Sequence, residues 1–167
     1  MMKGRILVIT ILVMSSIFPI MHQQSFGEKQ FIKDFNTSQE TNMALYFDGS
    51  DEVVVQDDSS LNPTEEITAM AWIKATDWAG NRRILEKSYR FIDEGNMEFG
   101  ASTNGHAETP LPPANEWVHV VGTFDRTDTE IFYNGELQVS ASTPGDFMTS
   151  DVILCIGNKP HSTYSGD

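Results

Sequence analysis

The chain has 167 residues, with 24 acidic against 11 basic side chains, a net charge of −13 and one cysteine. Nucleic acid and anionic membrane surfaces are repelled by such a charge and are excluded as partners, and a single cysteine cannot build a disulfide framework within the chain. The length suits one domain of ordinary size with a core of its own.

Lys3 and Arg5 precede an apolar run from Ile6 to Ile20, and Ser25 and Gly27 place small residues where a signal peptidase reads. Residues 1–27 are therefore expected to be a signal peptide, cleaved before Glu28. The run is short for a membrane span, which needs ~20 residues, so no membrane insertion is expected after cleavage. A secreted or extracellular location follows, periplasmic or on the cell surface in a bacterium. Glu28 to Asn42 is polar and without a period, a spacer that includes the glycosylation-acceptor pattern Asn36-Thr37-Ser38.

From Met43 onward the chain reads as short strands. Met43 to Phe47 is turned by Asp48-Gly49-Ser50-Asp51 and returns along Glu52 to Gln56. In Ile67 to Lys74 the residues Ile67, Ala69, Ala71 and Ile73 face one way and Met70 and Trp72 the other, which predicts a central strand covered on both sides near its middle. Arg82 to Lys87 is the next strand. Tyr89 to Ile92 and Met97 to Ala101 predict a hairpin around Asp93-Glu94-Gly95-Asn96. Thr103-Asn104-Gly105 and Pro110 to Pro113 read as long loops that carry the chain to an opposite sheet.

The strongest signal is Trp117 to Phe124, followed by the polar Asp125-Arg126-Thr127-Asp128, Glu130 to Tyr133, Asn134-Gly135 and Glu136 to Val139. Asn-Gly suits a two-residue type I′ turn, which sets Tyr133 opposite Glu136 and Phe132 opposite Leu137. Val152 to Ile156 is apolar and makes Cys155 a small buried hydrophobe, or half of a bridge whose partner lies beyond residue 167. No long helical period occurs after residue 27. The fold class is all-β, an antiparallel β-sandwich.

Trp117-Val118-His119-Val120-Val121-Gly122-Thr123-Phe124-Asp125 with Ile131-Phe132-Tyr133-Asn134-Gly135 resembles the LamG-like modules of the concanavalin A-like lectin/glucanase superfamily. The likeness extends in order through Ala44 to Gly49, Val53 to Val55, Ile67 to Lys74, Ile84 to Lys87 and Leu154 to Asn158. It implies a jelly roll over residues 43–167. The family pattern continues into a closing strand that pairs beside the first, and Tyr164-Ser165-Gly166-Asp167 reaches only its start. The sandwich is therefore expected to lack its C-terminal closing strand, to leave Met43 to Phe47 with an unpaired edge, and to be the N-terminal part of a larger protein.

The resemblance brings both enzymes and lectins into view. Glycoside hydrolysis needs two carboxylates in one cleft. The Glu-x-Asp-x-x-Glu strand that the resemblance would require is absent, and Asp93-Glu94 with Glu98 falls in a predicted turn, so no catalysis is expected of this chain. Among the four histidines, His106 and His161 read as loop residues and His119 as a structural strand residue, without metal-site spacing. The resemblance implies a structural calcium near the opening strands, which makes Asp48 and Asp51 the metal candidates; Asp48-Gly49 reads equally as turn chemistry. Sugar binding needs exposed rings with polar neighbours. Trp78, in Asp77-Trp78-Ala79-Gly80, is the candidate ligand-binding residue, with packing against a neighbouring loop as its other reading, while Trp72 and Trp117 read as core. The expectation is a non-catalytic extracellular recognition or adhesion module for a glycan or protein ligand. The alternative is an accessory carbohydrate-binding domain of a larger secreted glycoside hydrolase or sialidase.

Overall fold

A computed structural model describes residues 7–14, 44–78, 82–93 and 95–158, with residues 7–14, 82 and 93 described by backbone alone. The cleavage point at 25–27, the spacer with its Asn36 pattern, His22, His161 and the end at 164–167 lie outside the described residues.

The described chain is all-β, with one 3-10 turn at Ser59–Leu61. Its strands in chain order are β1 (Leu7–Met14), β2 (Leu45–Phe47), β3 (Val53–Val55), β4 (Ile67–Ala75), β5 (Arg82–Glu86), β6 (Arg90–Asp93), β7 (Met97–Ser102), β8 (Gly105–Thr109), β9 (Val118–Phe124), β10 (Asp128–Tyr133), β11 (Glu136–Ser142) and β12 (Leu154–Ile156). They form two six-stranded antiparallel sheets, ordered β11-β10-β9-β4-β1-β2 and β3-β12-β5-β6-β7-β8. This is the sandwich expected of a jelly roll.

Period-two alternation drives the packing. Ile67, Ala69, Ala71 and Ile73 of β4, Val118, Val120 and Phe124 of β9 and Ile131 of β10 meet Leu85, Phe91, Met97, Phe99, Ala101 and Ala107 of the second sheet in one buried cluster. Phe91 and Phe99 pack edge to face with ring centroids 5.3 Å apart. Gly122 of the first sheet faces Phe99 of the second with no room for a side chain, because a Cβ at Gly122 would fall 2.3 Å from the ring. Gly122→Ala is therefore expected to lower stability by about 1–3 kcal/mol, the usual cost of overpacking. Chemical denaturation checks this: the midpoint should fall at an unchanged slope.

The Asn-Gly hairpin is as the residues specify. Asn134 and Gly135 take φ of 51° and 86°, and Tyr133 pairs with Glu136 and Phe132 with Leu137. Asn134 also accepts from the His119 amide at 2.9 Å through Oδ1, tying the turn to the neighbouring strand.

Two expectations need correction. Thr103 and Asn104 form a two-residue connection between β7 and β8, with Ser102 paired to Gly105, and the chain crosses to the other sheet only at the Pro110 to Pro113 stretch. Gly105 and His106 were expected in a loop because Thr103-Asn104-Gly105 is turn chemistry, yet they begin β8. Second, β4 is central in its sheet but covered on one face alone: its even-numbered side chains are half-buried or exposed, with Trp72 at 47 %.

Leu7–Met14, part of the stretch expected to be an address, sits in the first sheet. β1 pairs with β4 over eight residues and with β2 over three, so among the described strands β2 reaches the sheet through β1.

The second sheet is fastened by Lys87, which follows β5 and whose side chain is fully buried. Its Nζ donates to Asp57 Oδ1 at 2.6 Å, the Val152 carbonyl at 2.6 Å and the Ser150 carbonyl at 3.0 Å. All three ammonium donors are used, and two distant loops are held to one point.

Candidate functional site

Asp48 and Asp51 lie together in the exposed turn between β2 and β3. Asp48 Oδ1 accepts from the Ser50 amide at 2.8 Å and its hydroxyl at 2.7 Å, while Asp51 Oδ2 accepts from the Asp48 amide at 3.1 Å. The Ser50 hydroxyl and amide hold the Asp48 carboxyl below its ordinary range. These are the bonds of an Asx turn. A calcium ion asks for six to eight oxygens, and among the described residues no third acidic or imidazole group joins these two. The pair as placed does not make up a calcium cage by itself.

Trp78 is half-buried against the core, and its Nε1 donates to the Pro112 carbonyl at 2.7 Å. The indole thus pins the loop after β4 to the Pro110 to Pro113 crossing, the packing reading of this residue.

The exposed rings are elsewhere. Trp72 and Trp117, both read as core from the sequence, are 47 % and 45 % exposed. The reason is the one-sided cover of β4: the residues between its core-facing positions look outward. Trp72 pairs with His119 across β4 and β9, and the two rings stack at 5.1 Å with planes 30° apart. Trp117 precedes buried Val118, so alternation turns it to the His119 side. Beside this pair the register lines up Met70, Val121, Phe132 and Leu137 across β4, β9, β10 and β11. Leu137 is 53 % exposed and Tyr46, aligned with Lys74 through β1, is 52 % exposed. The outer face of the first sheet is therefore an aromatic and aliphatic surface with Lys74, His119 and Glu130 among it, and patches of this kind mark contact sites.

His106, expected in a loop, is in β8 with Nε2 2.8 Å from Glu108 Oε1. Glu98, expected near a turn, is in β7 and buried. Recognising their proximity required the β7–β8 register, which the turn reading of Thr103-Asn104-Gly105 concealed. Cys155 is free and fully buried in β12, its thiol pushed up by burial and then by the charges of Glu52 and Glu86, as befits a small core residue.

Among the described residues no helix is long and apolar enough to cross a membrane. A search of curated proteins finds no match. The family model Laminin_G_3, described as concanavalin A-like lectin/glucanases superfamily, matches residues 47–167. That span takes in β3 to β12, which include strands of both sheets, so the sandwich and the family model agree, and the chain belongs to the concanavalin A-like lectin/glucanase superfamily as a LamG-like module.

Proposed function

We propose that this module is a non-catalytic recognition domain that binds glycan through the outer face of its first sheet. The observation that carries the reading is the Trp72–His119 stack with Trp117 beside it, two half-exposed indoles that the core does not need. Pyranose rings present flat C–H faces that stack on such rings, and Lys74, His119 and Glu130 supply polar groups near them to orient hydroxyls. The superfamily's lectin members are consistent with that use, although the fold alone does not fix it. Trp78, with its N–H committed to Pro112, serves the loop and not the ligand in this reading.

The experiment is a glycan array on the full chain, followed by titration of the best binder. Trp72→Ala and Trp117→Ala are each expected to weaken binding about three- to tenfold, an aromatic contact being worth about 0.5–1.5 kcal/mol, at an unchanged melting temperature. Trp78→Ala is expected to lower the melting temperature and leave the affinity of the folded fraction alone. An array without hits, or hits that survive both outer-face substitutions, would reject the proposal.

A further inference from the structure

The face of the second sheet turned away from the core carries a separate cluster. β7 and β8 pair so that Glu98 lies directly opposite Glu108, with Ile92 of β6 on the other flank of Glu98. Their strand neighbours Phe99 and Ala107 fill the core, so the two carboxylates project together from the outer face. Like charges at directly opposed positions repel. Burial sharpens the repulsion, because the Glu98 side chain is 10 % exposed and lies beside Ile92, itself 1 % exposed.

His106, two residues before Glu108, brings Nε2 to 2.8 Å from Glu108 Oε1 and 4.0 Å from Glu98 Oε2. The three donor atoms all lie within 4.8 Å of one another. Gly100 leaves this corner open: a Cβ there would meet the His106 Cβ at 3.1 Å. Arg90 supplies counter-charge, but its Nη2 stands 3.4 Å from Glu98 Oε2, longer than the roughly 2.7–2.9 Å of a charge-assisted hydrogen bond. Among the described residues, then, the deep carboxylate has Arg90 and His106 for neighbours and neither at short range.

We propose that Glu98, His106 and Glu108 form a divalent-metal site of the zinc class. One imidazole and two carboxylates are a donor set that zinc accepts, with a fourth position left for water, whereas calcium is poorly served by an imidazole and so few oxygens. Ligand atoms around a tetrahedral zinc stand about 3.3 Å apart, given bonds of about 2.0–2.1 Å. The His106 nitrogen, now 2.8 Å and 4.0 Å from the two carboxylate oxygens, departs from such spacing by less than about 1 Å on either side. A dication between the opposed carboxylates turns their repulsion into attraction, and Arg90, 39 % exposed at its side chain, is free to turn to solvent.

Calorimetry with zinc chloride on the full chain, untagged and stripped with a chelator, tests the site. About one ion per chain should bind, Glu98→Gln and His106→Ala should each weaken it tenfold or more, and excess calcium should not displace it. Glu108→Gln, at an exposed position, gives the same test in a variant whose fold is least disturbed. Absence of a binding heat, or one unchanged in Glu98→Gln and Glu108→Gln proteins with wild-type melting, would overturn the site.

Discussion

Replacing Lys87 by alanine is expected to destabilise the protein by about 2–5 kcal/mol, the usual cost of truncating a long, fully buried side chain to alanine. The Lys87 side chain is fully buried, and its ammonium is the shared donor for Asp57, Ser150 and Val152. Without it the Ser150 and Val152 carbonyls lose the donor that holds their loop to β5. Asp57, about 30 % exposed at its side chain, can recover hydration, so Lys87→Met, which keeps the stem, belongs at the low end of that range. Urea denaturation at neutral pH reads the loss directly.

The same contact fixes a pH dependence. Lys87 holds the Asp57 carboxyl below its ordinary value of 3.8. Its folded-state value is thus depressed, so the stabilisation is present in full above 3.8 and disappears as the pH falls through the lower folded-state value. The gap in stability between wild type and Lys87→Ala should hold constant from neutral pH to the upper edge of that window and then narrow. A gap that is absent at pH 7 would remove Lys87 from its structural role.

A chain starting at Glu28 is expected to show the largest effect of all. It lacks β1, which pairs with β4 across eight residues and is, among the described strands, the one sheet neighbour of β2. At about 0.5–1.5 kcal/mol net per ladder hydrogen bond, the loss approaches the 5–15 kcal/mol that holds a typical domain together. The shortened chain should lose its cooperative transition or aggregate through the bared edges of β4 and β2. A synthetic peptide spanning residues 5–16, added in trans, should restore the transition. Cooperative melting at the full-length temperature without the peptide would show that β4 and β2 need no strand between them.

What could be read from the residues follows how local each signal is. The β10–β11 hairpin starts from Asn134-Gly135 and the alternation around it, so the pairs Tyr133–Glu136 and Phe132–Leu137 beside the turn were legible, while the shift between Ile131 and Phe132 was not. The Asp48 turn is equally local. The exposure of Trp72 and Trp117 was not legible, because an aromatic in a strand looks the same whether its face meets a second sheet or solvent, and only the tertiary arrangement decides. The proximity of Glu98, His106 and Glu108 depends on the register across a connection whose residues, Thr103 and Asn104, read as a long loop. Leu7–Met14 was read as part of an export address alone, and its strand pairing was hidden for a different reason: an apolar run of that length suits such an address and a buried strand with the same side-chain chemistry.

That double aptitude of β1 makes the order of events matter during synthesis. Leu7–Met14 leaves the ribosome well ahead of Ala75, the last residue of its long partner. At about 5–20 residues per second, roughly 3–12 s pass before β4 is complete. In that interval the apolar segment has no strand to pair with and is available to whatever targeting factor reads it. Afterwards the sheet competes for it, and a segment seated between two hydrogen-bonded neighbours offers neither backbone nor length to a receptor. Timing, more than affinity, then decides whether these eight residues end as a label or as a beam of the sheet.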